Sequence, residues 1–214
     1  LFATRGVPTT WGAEPYRDQI FDFDATVIER LRAAGAILVV KLAMVELAGG
    51  LGYDSADASF TGPCRTPWNT AYWSGGSSSG SGSAVAAGLV PFALGSETWG
   101  SIVTPAAFCG VSGLRPTYGR VSRFGAMALS WTMDKVGPIC RTADDCGLVL
   151  AAVAGADPLD PTAVDRRFEY PPTREVSPPF RFGGLMGAGV GEQGEVTAIF
   201  REALDVLSRF ATLE

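Results

Sequence analysis

Residues 74–102 read SGGSSSGSGSAVAAGLVPFALGSETWGSI. The first ten positions hold six serines and four glycines, the composition of a flexible linker. The neighbouring residues argue against a linker. Ser83–Leu89 is small and apolar and fits a tightly packed helix. Val90–Leu94 is a short apolar run bounded by Pro91 and Gly95, which reads as a buried strand. A second Gly/Ser element, Gly95–Ser101, comes directly after it. A linker joins domain-sized blocks, whereas this stretch sits inside a continuing pattern of helices and strands.

The same alternation extends outward. Residues 24–35 form an amphipathic helix with Asp24 as N-cap and Gly35 as stop. Residues 36–41 (AILVVK) read as a buried parallel strand, and 42–48 as a short helix. From 49 to 76 the chain is turn-rich loop. Val111–Leu114 is a further short strand. Thr142 caps a helix running to Gly155, with acidic residues in its first turn. Residues 156–180 hold six prolines and read as exposed loop. Phe182–Met186 reads as a strand, and Glu192–Phe210 as an amphipathic helix with Val196, Ile199, Phe200 and Leu204 inward. Helices alternating with short apolar strands predict an α/β fold, read as one domain over residues 1–214.

Composition limits the chemistry. Of 214 residues, 47% are apolar and 18% charged, enough for a sizeable core and too few charges for disorder. The net charge of −5, without a Lys/Arg cluster, argues against nucleic-acid contact. There is no run of 18 apolar residues, so no membrane span is expected. Residue 1 is Leu with no signal peptide behind it, so a cytoplasmic protein and an internal start are expected. Cys64, Cys109, Cys140 and Cys146 form no CxxC pair and read as reduced thiols.

The chain has no histidine. This rules out a Ser-His-Asp triad or a His-bearing metal site within it, and no cofactor motif is visible. Its lysines are Lys41 and Lys135. A serine after a strand, preceded by small residues with open backbone N–H groups, suits a nucleophile beside an oxyanion hole. The element at 95–101 offers such a serine, and the element at 75–80 offers a second hydroxyl as proton relay. Two Gly-rich turns in a packed core are the structural alternative.

Longer blocks resemble the amidase signature family. They are Gly75–Ser81, Ala84–Ile102 and Pro105–Gly125, which make up a core signature over 74–125. Met133–Pro138, Arg141–Asp145, Phe60–Pro63, Asn69 and Arg5–Thr10 match as well. The resemblance implies an α/β/α sandwich on a mixed, mainly parallel sheet, present here in part. It implies amide hydrolysis through a Ser–cis-Ser–Lys triad, with Ser101 as nucleophile and Ser77, 24 positions earlier, as bridging serine after a cis bond. Backbone N–H groups of Thr98, Trp99, Gly100 and Ser101 would make the oxyanion hole, with Ser78 in support. The partner would be a small-molecule amide, with a homodimer left open.

The resemblance places the catalytic lysine in a Lys-Asp pair immediately before residue 1. Lys41 looks like a second family lysine and stays as the alternative, while Lys135 lies in a non-catalytic landmark. Residues 1–214 alone are therefore expected to be inactive. Family members run to about twice this length. Trp99 stands where glycine is usual and Val103 where many members have Arg, which points to a substrate less polar than glutamine. A non-catalytic remnant and the glutaminase-type A subunit of a tRNA-dependent amidotransferase are the alternatives.

Overall fold

A computed structural model describes residues 1–49, 59–166, 168–172, 180–183 and 193–214. They fall into two compact units, Leu1–Pro171 and Pro172–Glu214. The core signature expected over 74–125 lies wholly within the first.

The first unit is built on a three-stranded sheet of β1 (Phe92–Glu97), β2 (Ser112–Gly113) and β3 (Lys135–Cys140), in the order β1-β3-β2. Both pairings are antiparallel, with Leu94 opposite Pro138 and Glu97 opposite Lys135. The α/β class holds, but in this unit no described strand pair is parallel. β3 has no counterpart among the strands read from sequence, because Gly137 and Pro138 look like turn residues. A side chain at Gly137 would stand 2.1 Å from the Leu114 carbonyl, so only glycine lets the chain approach that closely.

Side chains alternate across the sheet. Ala93 and Ile139 pack with Ala84, Val85 and Ile102, under α2 (Ser79–Ala86) and α3 (Val103–Cys109). Val136 and Leu94 pack instead with Val27, Ile28, Leu150 and Val153, under α1 (Thr26–Ala33) and α4 (Ala143–Val153). Helices therefore cover both faces of the sheet, as a three-layer sandwich requires.

Several local expectations change. Thr142 caps α4 as its sequence implies, accepting from the Asp145 amide at 3.1 Å. Asp24 does not cap α1. Its carboxylate accepts from the Arg5 amide at 2.9 Å and pairs with Arg32 at 2.6 Å, and Ala25 takes the cap position. Helix α2 begins four residues before the expected Ser83, inside the Ser/Gly stretch. Residues 36–41 make no ladder with any described strand, and Ile37 and Val39 are exposed. Of residues 42–48, only Glu46–Ala48 form a short 3-10 turn. The loop after α4 is not wholly exposed. Asp157 is buried and accepts from the Thr26 and Ser122 hydroxyls, and Asp160 is buried with Arg123 and Thr162 as donors.

The second unit pairs β4 (Phe180–Phe182) parallel to β5 (Ala211–Leu213), with α5 (Gly194–Leu207) between them in the chain. The strand expected over Phe182–Met186 starts two residues earlier, at Phe180, and 184–186 fall outside the described residues. The apolar stripe of α5 is not buried: Val196 and Ile199 are both exposed. No helix among the described residues is long and apolar enough to cross a membrane.

Candidate active site

Four of the six serines in the Ser/Gly stretch are held through their hydroxyls. Ser74 donates to the Cys64 and Ser79 carbonyls, each at 3.2 Å. Ser81 donates to the Leu94 carbonyl at 2.8 Å and Ser83 to the Arg65 carbonyl at 2.7 Å. The Ser78 hydroxyl accepts from the Ser96 amide at 3.2 Å and donates to the Ser96 carbonyl at 3.3 Å. Ser78 and Ser81 thus bond backbone groups of β1 in place of another strand. Gly95 allows the Ser78 contact, since a Cβ there would lie 2.8 Å from the Ser78 hydroxyl, while Gly80 and Gly82 let α2 approach other backbone: a Cβ on Gly80 would lie 2.6 Å from the Ala43 amide, and one on Gly82 2.8 Å from the Pro105 carbonyl.

The Gly76–Ser77 peptide is cis. Ser77 is buried, and its carbonyl accepts from the Val45 amide at 2.9 Å. The next amide, Ser78 N–H, donates to the Ser101 carbonyl at 3.1 Å. This bond joins the two Gly/Ser elements directly. Ser101 is buried as well.

Between β1 and α3, residues 98–101 form a tight loop with Gly100 at φ +101°, a conformation that favours glycine. The Gly100 carbonyl accepts from the Thr104 amide at 2.7 Å. No described residue accepts from the N–H of Trp99, Gly100 or Ser101. Backbone donors that no described residue takes up, beside a buried serine, are the raw material of an oxyanion hole. The Ser78 hydroxyl, by contrast, is occupied by β1, so its side chain braces the site from behind. Trp99 is 84% exposed and takes no part in the core.

Glu97 lies within the Gly95–Ser101 element, but that element alone gives it no role. It is 1% exposed, and its Oε2 accepts from the Ile102 amide at 2.8 Å and the Val103 amide at 3.0 Å. Arg115 lies 3.6 Å from its Oε1. The carboxylate thereby satisfies the start of α3 and ties down the residues after Ser101. A sequence signal exists: Glu97 is the one charged residue between Arg65 and Arg115.

Both lysines are engaged. Lys41 Nζ donates to the Phe2 carbonyl at 2.6 Å, to Thr4 Oγ1 at 3.2 Å and to Thr9 Oγ1. Burial lowers its pKa to about 8, opposed by nearby Asp24. Lys41 shares an apolar cavity of about 570 Å³ with Ser77 and Ser78, but neither serine is among its hydrogen-bond partners. Lys135 Nζ donates to the Thr98 carbonyl at 3.0 Å. Among the described residues no cluster of Cys, Asp and Glu has the make-up of a metal site.

The amidase family profile matches residues 1–212. The A subunit of glutamyl-tRNA(Gln) amidotransferase from Moorella thermoacetica is 45% identical over 98% of this chain and 43% of its own length. Among solved structures, the protein of the same name from Thermotoga maritima superposes with a TM-score of 0.90 at 38% identity, over 100% of this chain and 47% of that one. Peptide amidase from Stenotrophomonas maltophilia superposes at 0.85 and 34% identity, over 99% and 45%. The chain spans less than half the length of these relatives.

Proposed function

The chain belongs to the amidase family, and from that premise we propose that it hydrolyses a carboxylic amide through an acyl-Ser101 intermediate. Ser101 Oγ bonds to the amide carbon and passes its proton to Ser77 Oγ, which passes its own to a lysine base. The carbonyl oxygen becomes an oxyanion facing the N–H groups of Trp99, Gly100 and Ser101, with Thr98 completing the loop. Collapse breaks the C–N bond, and the transferred proton leaves with the amine. Water then attacks the acyl ester, releasing the acid and restoring the Ser101 hydroxyl.

The observation that carries this reading is the 3.1 Å bond from Ser78 N–H to the Ser101 carbonyl, which brings the residue after Ser77 against Ser101 with both serines buried. Lys41 and Lys135 are committed to other oxygens. The base in this proposal is the lysine of the Lys-Asp pair that the family resemblance implies, with Lys41, which lines the same cavity as Ser77, as the alternative; on the first assignment residues 1–214 expressed alone should release no amine from an amide.

The test is ammonia release from benzamide, hexanamide and glutamine by the full-length protein, with mass-spectrometric mapping of phenylmethylsulfonyl fluoride labelling. Label at Ser101 is expected. Ser101→Ala should abolish turnover, and Ser77→Ala should lower kcat by a factor of about 10³ with the circular dichroism unchanged. A folded protein that takes no label at Ser101 and releases no ammonia is instead a non-catalytic member of the family.

The relatives named as amidotransferase A subunits favour a second reading, in which glutamine is the amide and the ammonia passes to a partner bound to tRNA. That would add partners which the charge of −5 does not suggest. Trp99 and Val103 beside Ser101 favour the less polar substrate. Preference for glutamine over benzamide, with co-purifying subunits, would decide for the second.

A further inference from the structure

We propose that Asp134 is a positioning residue which, through Thr98, aims the N–H groups of the loop before Ser101. The inference rests on the acyl-serine reading above.

Asp134 precedes β3 and is buried. Its Oδ2 accepts from the Leu129 amide at 2.8 Å and the Ser130 amide at 2.9 Å, which fixes the carboxylate in place. Its Oδ1 accepts from the Thr98 hydroxyl. The next residue, Lys135, donates to the Thr98 carbonyl at 3.0 Å. Thr98 is thus gripped at both its hydroxyl and its carbonyl by two adjacent residues at the start of the neighbouring strand.

A peptide unit is planar and trans, so its C=O and N–H point in opposite directions. Holding the Thr98 carbonyl on Lys135 therefore turns the Trp99 N–H away from Lys135. The Gly100 carbonyl, held by the Thr104 amide at 2.7 Å, orients the Ser101 N–H in the same way. The loop's donor directions are set by what its carbonyls bind. Thr98 carries the side-chain anchor of this loop, and that anchor is Asp134.

The expected signature is a loss in kcat without a matching change in KM, because an oxyanion forms only after substrate is bound. In the full-length protein with benzamide, Asp134→Asn and Thr98→Val should each lower kcat about 100-fold, comparable to losing one oxyanion donor. KM should stay within about threefold. Thr98→Ser keeps the hydroxyl and should stay within about threefold of wild type in kcat. The double variant Thr98→Val/Asp134→Asn should be no slower than the slower single, since both break one link. Phenylboronic acid, which forms a tetrahedral adduct with a reactive serine, should bind each slow variant about as weakly as kcat falls. If Asp134→Asn unfolds below the assay temperature, the Thr98→Val and Thr98→Ser pair carries the test. An active wild type with Thr98→Val at full kcat, or with its loss confined to KM, overturns the clamp alone. A wild type that neither hydrolyses benzamide nor labels at Ser101 overturns the acyl-serine reading, and the clamp with it.

Discussion

The buried carboxylate of Glu97 accepts the Ile102 amide at 2.8 Å and the Val103 amide at 3.0 Å, while Arg115 stands off at 3.6 Å. These contacts are unequal. Hydrogen bonds to a charged group contribute about 1.5–3 kcal/mol each, and a buried amide left without its acceptor costs about 1–3 kcal/mol. The Arg115 side chain is 48% exposed, and an ion pair to so solvated a partner is worth about 1 kcal/mol or less. Glu97→Ala should therefore lower unfolding free energy by about 3 kcal/mol in urea titration, and Arg115→Ala by under about 1 kcal/mol. Equal losses would mean that the ion pair, and not the cap on α3, holds this loop.

Helix α2 reverses the usual effect of removing glycine. Replacing Gly by Ala in a helix normally gains about 1 kcal/mol. At Gly82 the added methyl would sit 2.8 Å from the Pro105 carbonyl, and at Gly80 2.6 Å from the Ala43 amide. Both obstacles are backbone, which cannot rotate away. Overpacking of this kind costs about 1–3 kcal/mol and outweighs the propensity gain. Gly80→Ala and Gly82→Ala should each lower the melting temperature by several degrees. Gly88, which follows the helix at φ +72° with open space around it, should lose stability through backbone strain alone.

This squeeze also separates what is legible in the sequence from what is not. Helix α4 is readable because its capping threonine, its acids and its apolar spacing agree locally. Helix α2 reads four residues late because Ser and Gly are poor helix formers, and its actual start is set by tertiary contact with Ala43 and Pro105. β3 is hidden by Gly137 and Pro138, residues that a strand interior seldom holds. Residues 36–41 have the composition of a buried strand, but strand pairing depends on a partner that local composition does not specify. Ser77, Ser78 and Ser101 stand out by motif. Glu97 and Asp134 do not, because a single acid reveals its role only through the amides and hydroxyls around it.

Ser78 offers a third prediction. Its hydroxyl both accepts from and donates to the Ser96 backbone, at 3.2 and 3.3 Å. Ser78→Ala strands both groups at the edge of β1, at a cost of about 1–3 kcal/mol. Ser78→Thr keeps the hydroxyl and should recover part of it. Amide hydrogen exchange at Ser96 should speed up in the alanine variant. Unchanged exchange there would show that the bridge is not what protects the strand.

Lys41 makes stability depend on pH in a defined direction. Its pKa falls from 10.5 to about 8 in the folded protein, mainly through burial. Below pH 8 both folded and unfolded chains hold the proton, and Lys41 adds no slope. Between about pH 8 and 10.5 the unfolded chain binds more protons at this site, so its contribution to stability rises with pH. Urea titrations of wild type and Lys41→Met across this range isolate the effect, because other groups cancel in the difference. Wild type should gain on the variant as pH rises above 8. A flat difference would mean that the ammonium, held by Phe2, Thr4 and Thr9, keeps an ordinary pKa.

Trp99 separates substrate choice from stability. It is 84% exposed, and replacing so exposed a side chain should shift stability by no more than about 0.5 kcal/mol. Its indole stands two residues before Ser101 and is available to an incoming substrate. An aromatic contact is worth about 0.5–1.5 kcal/mol, or roughly two- to tenfold in kcat/KM. Trp99→Ala should therefore lower kcat/KM for benzamide by that factor and leave hexanamide and glutamine less affected. The variant then moves toward small polar amides without losing its fold. If the benzamide-to-glutamine ratio does not move, Trp99 has no part in choosing the substrate, and the less polar preference must come from Val103 or from outside this loop.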